Sequence, residues 1–281
     1  MKQQEITNMK KIITVIVAAI MSVAACFALT GCGATTYKDL TIVEIGGETE
    51  SFGIAFRKGS DLTRKTEEAI KELIKENKLS ELAKKYGVAG VSEYEPSADA
   101  NESSEDFKKI KDRGTLIIGI TDYKPMDYRE EGSSEWIGFD ADLAKSVCAK
   151  LGVTAEFKEI EWGNKLLDLT AGKIDCIWNG MTITDEITGA ADVTKPYMEN
   201  RQVAVVLKKN AAKYSDADKM GGLRIAAETG SAGESFIKAN SSLSGGLVQV
   251  DAQTDAFLEV MSGKSAVAIV DYMMARALIE G

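Results

Sequence analysis

Two segments of this chain set hydrogen-bonding side chains beside glycine where a helix is predicted to begin. Gly230-Ser231-Ala232-Gly233-Glu234 follows a strand-like run and carries a capping box, Ser231 to Glu234. Asn179-Gly180-Met181-Thr182-Ile183-Thr184-Asp185 also follows a strand, with Thr182 and Asp185 at the same spacing. A strand, a glycine turn and a helix start leave backbone N–H groups unpaired at the positive end of the helix dipole, an arrangement suited to an anion. Ordinary helix capping accounts for either turn alone. One in each half of the chain, facing a common cleft, favours binding.

Catalytic constellations are scarce by comparison. None of the 281 residues is histidine, which removes Ser-His-Asp and Cys-His pairs, the HExxH zinc site and any imidazole switch. Ser235-Phe236-Ile237-Lys238 has the SxxK spacing of serine acyl-enzymes but no SDN or KTG partner. Gly263-Lys264-Ser265 lacks the preceding glycine that a P-loop requires, and no GxGxxG occurs. Carboxylates are plentiful, yet none stands at a spacing that marks an acid–base pair. No catalytic residue, metal or cofactor is therefore expected. The balance of 34 basic against 43 acidic residues, a net charge of −9, argues against nucleic acid as a partner. Cys148 and Cys176 fit no zinc or CxxC spacing; two buried free thiols and a disulfide both remain open.

The elements that must position these turns alternate along the chain. Residues 115–120 read as strand and 139–151 as helix, with Phe139, Leu143, Val147 and Leu151 on one face. Strand 153–160, helix 162–171 and strand 174–178 follow. The rhythm resumes with strands at 203–207, 223–227, 247–250 and 266–270 between helices 231–239, 252–262 and 271–279. That pattern predicts an α/β fold with largely parallel sheets, in two lobes, 108–200 and 201–281. Ahead of them, 37–47 and 48–90 hold two short strands, a helix capped by Ser60 and a second helix ending at Gly87. These cannot complete a layer and must dock on the rest. Residues 91–107 are rich in Ser, Asp and Glu and read as a flexible linker.

Residues 1–31 read as a leader. Met9-Lys10-Lys11 precedes an apolar run from Ile12 to Leu29, and Leu29-Thr30-Gly31-Cys32 resembles the lipobox of bacterial lipoproteins, which implies cleavage before Cys32 and lipidation of its thiol. Val23-Ala24-Ala25-Cys26 fits less well, and an uncleaved anchor is the alternative. Either way the body is expected outside the cytoplasmic membrane, tethered to it. Cleavage would remove three lysines and one glutamate, leaving a more acidic body.

Beyond the leader, the residues resemble a known family. Gly119-Ile120-Thr121-Asp122-Tyr123-Lys124-Pro125-Met126, Gly138-Phe139-Asp140-Ala141-Asp142-Leu143-Ala144, Trp162, Ile177 to Asp185, Pro196-Tyr197, Gly230-Ser231 and Asp271 are similar, in order, to amino-acid-binding extracellular solute-binding proteins of ABC importers. The resemblance implies a two-lobed, type II periplasmic-binding-protein-like fold that closes on a small ligand at a hinge of two crossing strands. It also implies a permease partner, no catalysis and a monomer. Residues 37–87, above all Ser51 to Asp61, resemble the family's C-terminal end although they stand first here, so a circularly permuted order is expected. In that reading 37–47 belongs to the second lobe, 48–90 docks on the first, and the linker joins the old termini.

Carried over by position, Tyr123 and Trp162 would sandwich the ligand. Asn179 falls in the same motif. The Gly180 carbonyl and Thr182 hydroxyl would meet its ammonium and carboxylate. Amides of Ser231 and Ala232 would hold the carboxylate, and Asp271 would pair the ammonium. One departure stands out: where the family has arginine, two residues after Thr184-Asp185, this chain has Ile187. The expectation is a ligand without an α-carboxylate, or weak affinity for ordinary amino acids, with Arg201 and Lys195 as the possible substitutes. Submicromolar binding of a standard amino acid would sink that idea. Two rival readings are a sensory binding module without a transporter and a dehydratase on the same scaffold, with Glu186 as its acid.

Overall fold

The computed structural model describes residues 36–90, 93–97 and 104–281. The predicted leader, Cys32 and the middle of the predicted linker lie outside the described residues. In chain order the strands are β1 (Leu40–Arg57), β2 (Thr115–Ile120), β3 (Thr154–Glu159), β4 (Cys176–Thr182), β5 (Ala191–Val193), β6 (Met198–Leu207), β7 (Ile225–Glu228), β8 (Leu247–Val250) and β9 (Val267–Asp271). They join in the order β3-β2-β4-β1-β6-β9-β7-β8, with β5 beside β1.

Two parallel groups make up this sheet, β3-β2-β4 and β9-β7-β8. Their connections are helical, as parallel pairing requires. The antiparallel pair β1 and β6 links the groups. Leu40–Glu44 of β1 pairs with Leu207–Val203, and Thr49–Phe52 pairs with Arg201–Met198. Between them Ile45 to Glu48 bulge out opposite Gln202 alone. Past Phe52, β1 pairs with β4 and β5 instead. Sequence patterning predicts two short strands here; pairing with distant β6 and β4 fuses them into one.

The described helices are α1 (Leu62–Lys75), α2 (Lys78–Tyr86), α3 (Asp106–Arg113), α4 (Phe139–Leu151), α5 (Lys165–Thr170), α6 (Asp185–Ala190), α7 (Ala232–Ala239), α8 (Gln253–Met261) and α9 (Tyr272–Ile279). Leu62, Ile70 and Leu73 of α1 enter one apolar cluster with Leu143, Val147 and Leu151 of α4 and with Phe52 and Phe56 of β1. The two phenylalanines are fully buried, and each contributes roughly 1.5–3 kcal/mol by leaving water.

Three local expectations differ from the structure. Asp61 rather than Ser60 is the residue before α1, while Ser60 Oγ accepts from the Leu62 N–H. Strand β4 runs on through Thr182, so α6 begins later, and Thr184 caps it by accepting from the Ile187 N–H. The predicted linker is pinned at both described ends. Tyr94 Oη donates to the Lys195 carbonyl at 3.0 Å, Ser97 N–H to Glu67 at 2.7 Å and Ser104 Oγ to Asp61 at 3.0 Å. Helix α3 then starts within it. Cys148 and Cys176 are buried free thiols. No helix of the described residues is long and apolar enough to cross a membrane.

Candidate ligand-binding site

Strands β2, β4, β7 and β9 all end at one cavity, lined by both parallel groups. Ligand sites in open parallel sheets collect at such carboxyl ends, where loops and helix N-termini converge. All eight sequence-selected residues line this cavity.

From the first group come the aromatic rings and a glycine strand end. Tyr123 sits in a tight turn, its N–H donating to the Asp127 carbonyl at 2.6 Å. Its hydroxyl is buried and faces Asp271. Trp162 occupies a 3₁₀ turn ahead of α5 and is buried. Gly180 takes a left-handed φ of 54°, and its N–H donates to Asp140 Oδ2 at 2.7 Å. The Asn179 side chain is already engaged: its Oδ1 accepts from the Thr121 hydroxyl at 2.6 Å, and its Nδ2 donates to Asp127 at 2.7 Å. It therefore orients the Thr121 turn. Thr182 Oγ1 donates to Glu50 at 3.2 Å.

The second group supplies the helix start and the acid. Ser231 Oγ caps α7 by accepting from the Glu234 N–H at 3.1 Å, and Glu234 reaches back to accept from the Gly230 N–H, one residue before the cap, at 2.9 Å. The Ser231 N–H is used on the Glu228 carbonyl at 3.1 Å. Ala232, first in α7, lines the cavity, and its N–H is one that a helix start leaves without an intrahelical partner. Asp271 is held by three amides: Asn200 at 2.5 Å, Gln202 at 2.8 Å and Gln253 at 2.5 Å. Burial, helped by the Glu50 charge, nonetheless pushes its pKa up to about 6, since no cation neutralises it.

The SxxK segment is inert in this setting. Ser235 Oγ donates to the Ser231 carbonyl, and Lys238 pairs with Glu234 at 2.9 Å rather than with the serine.

Ile187 is buried in the cavity wall. Neither proposed substitute joins it there. Arg201 pairs with Glu44 at 2.7 Å and lies 3.6 Å over the Tyr272 ring, outside the cavity lining, and Lys195 is exposed elsewhere. The cation among the lining residues is Lys165, which sequence reasoning missed. Its Nζ donates to the Gly230 carbonyl at 2.7 Å and lies 4.7 Å over the Trp162 ring. Burial lowers its pKa, against the pull of Glu186, Glu228 and Glu234. Glu228 was missed too. It closes β7 inside the cavity, and burial followed by repulsion from Asp271 raises its pKa to about 8.

The chain is similar to several known proteins. The L-cystine-binding protein TcyJ of Escherichia coli is 30% identical over 135 residues, 48% of this chain and 50% of that protein. The chain thus spans about half the length of that relative. Cyclohexadienyl dehydratase of Pseudomonas aeruginosa is 29% identical over 184 residues, 64% of this chain and 67% of that enzyme. The arginine-bound form of truncated ArgBP from T. maritima superimposes with a TM-score of 0.57 at 32% identity, covering 60% of this chain and 79% of that one. The mixed α/β fold matches such type II periplasmic-binding-protein neighbours. Residues 116–271 match the bacterial extracellular solute-binding proteins, family 3, and the chain belongs to that family.

Proposed function

We propose that this chain captures an amino acid or related small amine outside the cytoplasmic membrane and delivers it to an ABC importer, without catalysis. The observation that carries this reading is the cavity itself. It gathers two aromatic rings, a helix-start amide and a buried carboxylate from both sides of the β1–β6 crossing. In this reading Tyr123, Trp162, Gly180, Thr182, Ala232 and Asp271 touch the ligand, while Asn179 and Ser231 orient the turns that do. The lobes, 108–200 and 201–281, close about the bulge at Ile45 to Glu48. The test is native mass spectrometry of the purified protein for a co-purified small molecule, followed by titration of that molecule. A protein that retains and binds no amine or amino acid would overturn it.

We further propose lipidation at Cys32 and a permuted order, in which 37–47 belongs to the second lobe and 48–90 completes the first. Supporting the order, β1 lies between β4 and β6 although it precedes the matched region, and α1 and α2 pack on α4. A reordered gene placing residues 104–281 before 37–90 is expected to fold and bind the same ligand. Radiolabelled palmitate incorporation, lost in Cys32→Ala, tests the anchor.

A dehydratase is the second reading, favoured by the Pseudomonas aeruginosa relative and by an acid in the cavity, Glu228, whose pKa burial raises to about 8. Incubation with prephenate or arogenate and detection of the aromatic product decides it.

A further inference from the structure

The charges inside the cavity do not balance. Among its lining residues three acids, Glu186, Glu228 and Asp271, face one cation, Lys165. Glu186 is at the exposed rim, whereas Glu228, Asp271 and Lys165 are 3%, 7% and 8% exposed. With both acids ionised, the buried set therefore carries one excess negative charge. Burying an uncompensated carboxylate is costly unless a partner arrives.

Glu228 is the acid without a partner. Asp271 receives three amide hydrogen bonds. No side-chain hydrogen bond or ion pair of Glu228 exists among the described residues. Lys165, the cation of the cavity lining, is turned to the carbonyls of Gly230 and Trp162. The two acids stand at the carboxyl ends of adjacent parallel strands, β7 and β9, so their charges enter the same cavity side by side.

We propose that Glu228 and Asp271 make this a site for a small organic dication, with Asp271 taking one protonated nitrogen and Glu228 the second. The proposal rests on the reading of the cavity as a ligand site. It places Glu228 as the residue that separates charged from neutral ligands of equal size. A basic amino acid matches the buried set, since its two cationic nitrogens and one carboxylate sum to one positive charge. Its carboxylate would lie toward the Ala232 amide and Lys165. A diamine supplies the same two nitrogens without the carboxylate.

Isothermal titration of the full chain with pairs of near-isosteric ligands tests this. The pairs are L-arginine with L-citrulline and L-lysine with L-norleucine; agmatine and putrescine form the arm without carboxylate. At least one dication is expected to bind about 10- to 100-fold more tightly than its neutral counterpart. Tight agmatine or putrescine assigns the amine source; arginine or lysine alone assigns the amino acid. In Glu228→Gln, which keeps the side-chain volume, the charged-to-neutral ratio is expected to fall to within about threefold of unity. Citrulline or norleucine binding as tightly as the charged partner in the unaltered protein overturns the proposal while leaving amino-acid capture intact. A ratio unchanged in folded Glu228→Gln also overturns it. Failure of every amine and amino acid to bind overturns both.

Discussion

The Tyr123 ring packs so closely on Gly180 that a Cβ at position 180 would stand 2.6 Å from Tyr123 Cε1. Gly180 also holds a left-handed φ. Gly180→Ala therefore meets both backbone strain and a ring it must displace, at a cost of about 1–3 kcal/mol. Urea unfolding is expected to show that loss, and titration a ligand affinity reduced at least about tenfold. A variant binding like the parent would mean that the ring does not touch ligand.

Asp271→Asn retains the shape of the acid and removes its charge. The affinity for an ammonium ligand is expected to fall about 10- to 100-fold. Folding should change little, because the amides of Asn200, Gln202 and Gln253 can still bond its carbonyl in part. Calorimetric titration beside a circular dichroism melt separates the two effects.

Buried acids give the ligand-free protein an unusual pH dependence. Asp271, Asp140 and Glu228 have folded pKa values raised to about 6, 7 and 8, each chiefly by burial, and Asp127 is raised as well. The unfolded chain titrates these groups near about 4, so the folded state binds more protons between there and about 8. Stability must fall as pH rises through that window. The acids lowered by cations, Asp106, Asp142 and Glu234, act in the opposite sense and lose their contribution only in stronger acid. Thermal unfolding is expected to peak near pH 5 and decline toward pH 8, less steeply in Glu228→Gln. A melting temperature that climbs across this range contradicts the assignment.

Lys165 ties α5 to the turn before α7, where Gly163 and Gly230 also touch: a Cβ on Gly230 would lie 3.0 Å from Gly163 Cα. Lys165→Met keeps an apolar stem over Trp162 and loses the bond to the Gly230 carbonyl. Small-angle X-ray scattering is expected to report a larger radius of gyration for the variant without ligand. An unchanged radius would show that the ammonium is not what holds α5 to the turn before α7.

Both thiols of the body are buried, and burial raises the Cys148 pKa to about 12 and that of Cys176 well above the ordinary range. A thiol-specific chromogenic reagent at pH 8 is expected to label neither residue until the protein is unfolded, and then both.

Much of this architecture could be read from local patterns. Helix 139–151 and strands 115–120 and 247–250 carry their periodicity within a few residues, and the structure has them at those bounds. Strand β1 could not be read whole, because its halves are joined by partners some 150 residues away. Helix α3 hides in a charged stretch with Asp106 and Ile110 as its buried contacts. The site divides in the same way. Turn glycines and the strand-ending Asp271 announce themselves by type and position. Lys165 sits in what reads as an ordinary amphipathic helix, and Glu228 ends a short apolar strand. Which charges lose their water is decided by residues packed on them from distant parts of the chain. The signal available was polarity at alternate positions of an apolar strand: Asn200 and Gln202 in β6 both turn to Asp271.

Gln202 carries one more consequence. It is the single residue opposite the Ile45–Glu48 bulge, and its side-chain amide bridges Glu50 at 3.0 Å and Asp271 at 2.8 Å. In the proposed reading, the pivot and the receptor for the ligand's charge thus share one amide. In that reading, a twist about the bulge would also move a donor whose hydrogen bond favours the ionised form of Asp271. Under the proposed function, opening of the cavity and loss of grip on a cation would be a single event.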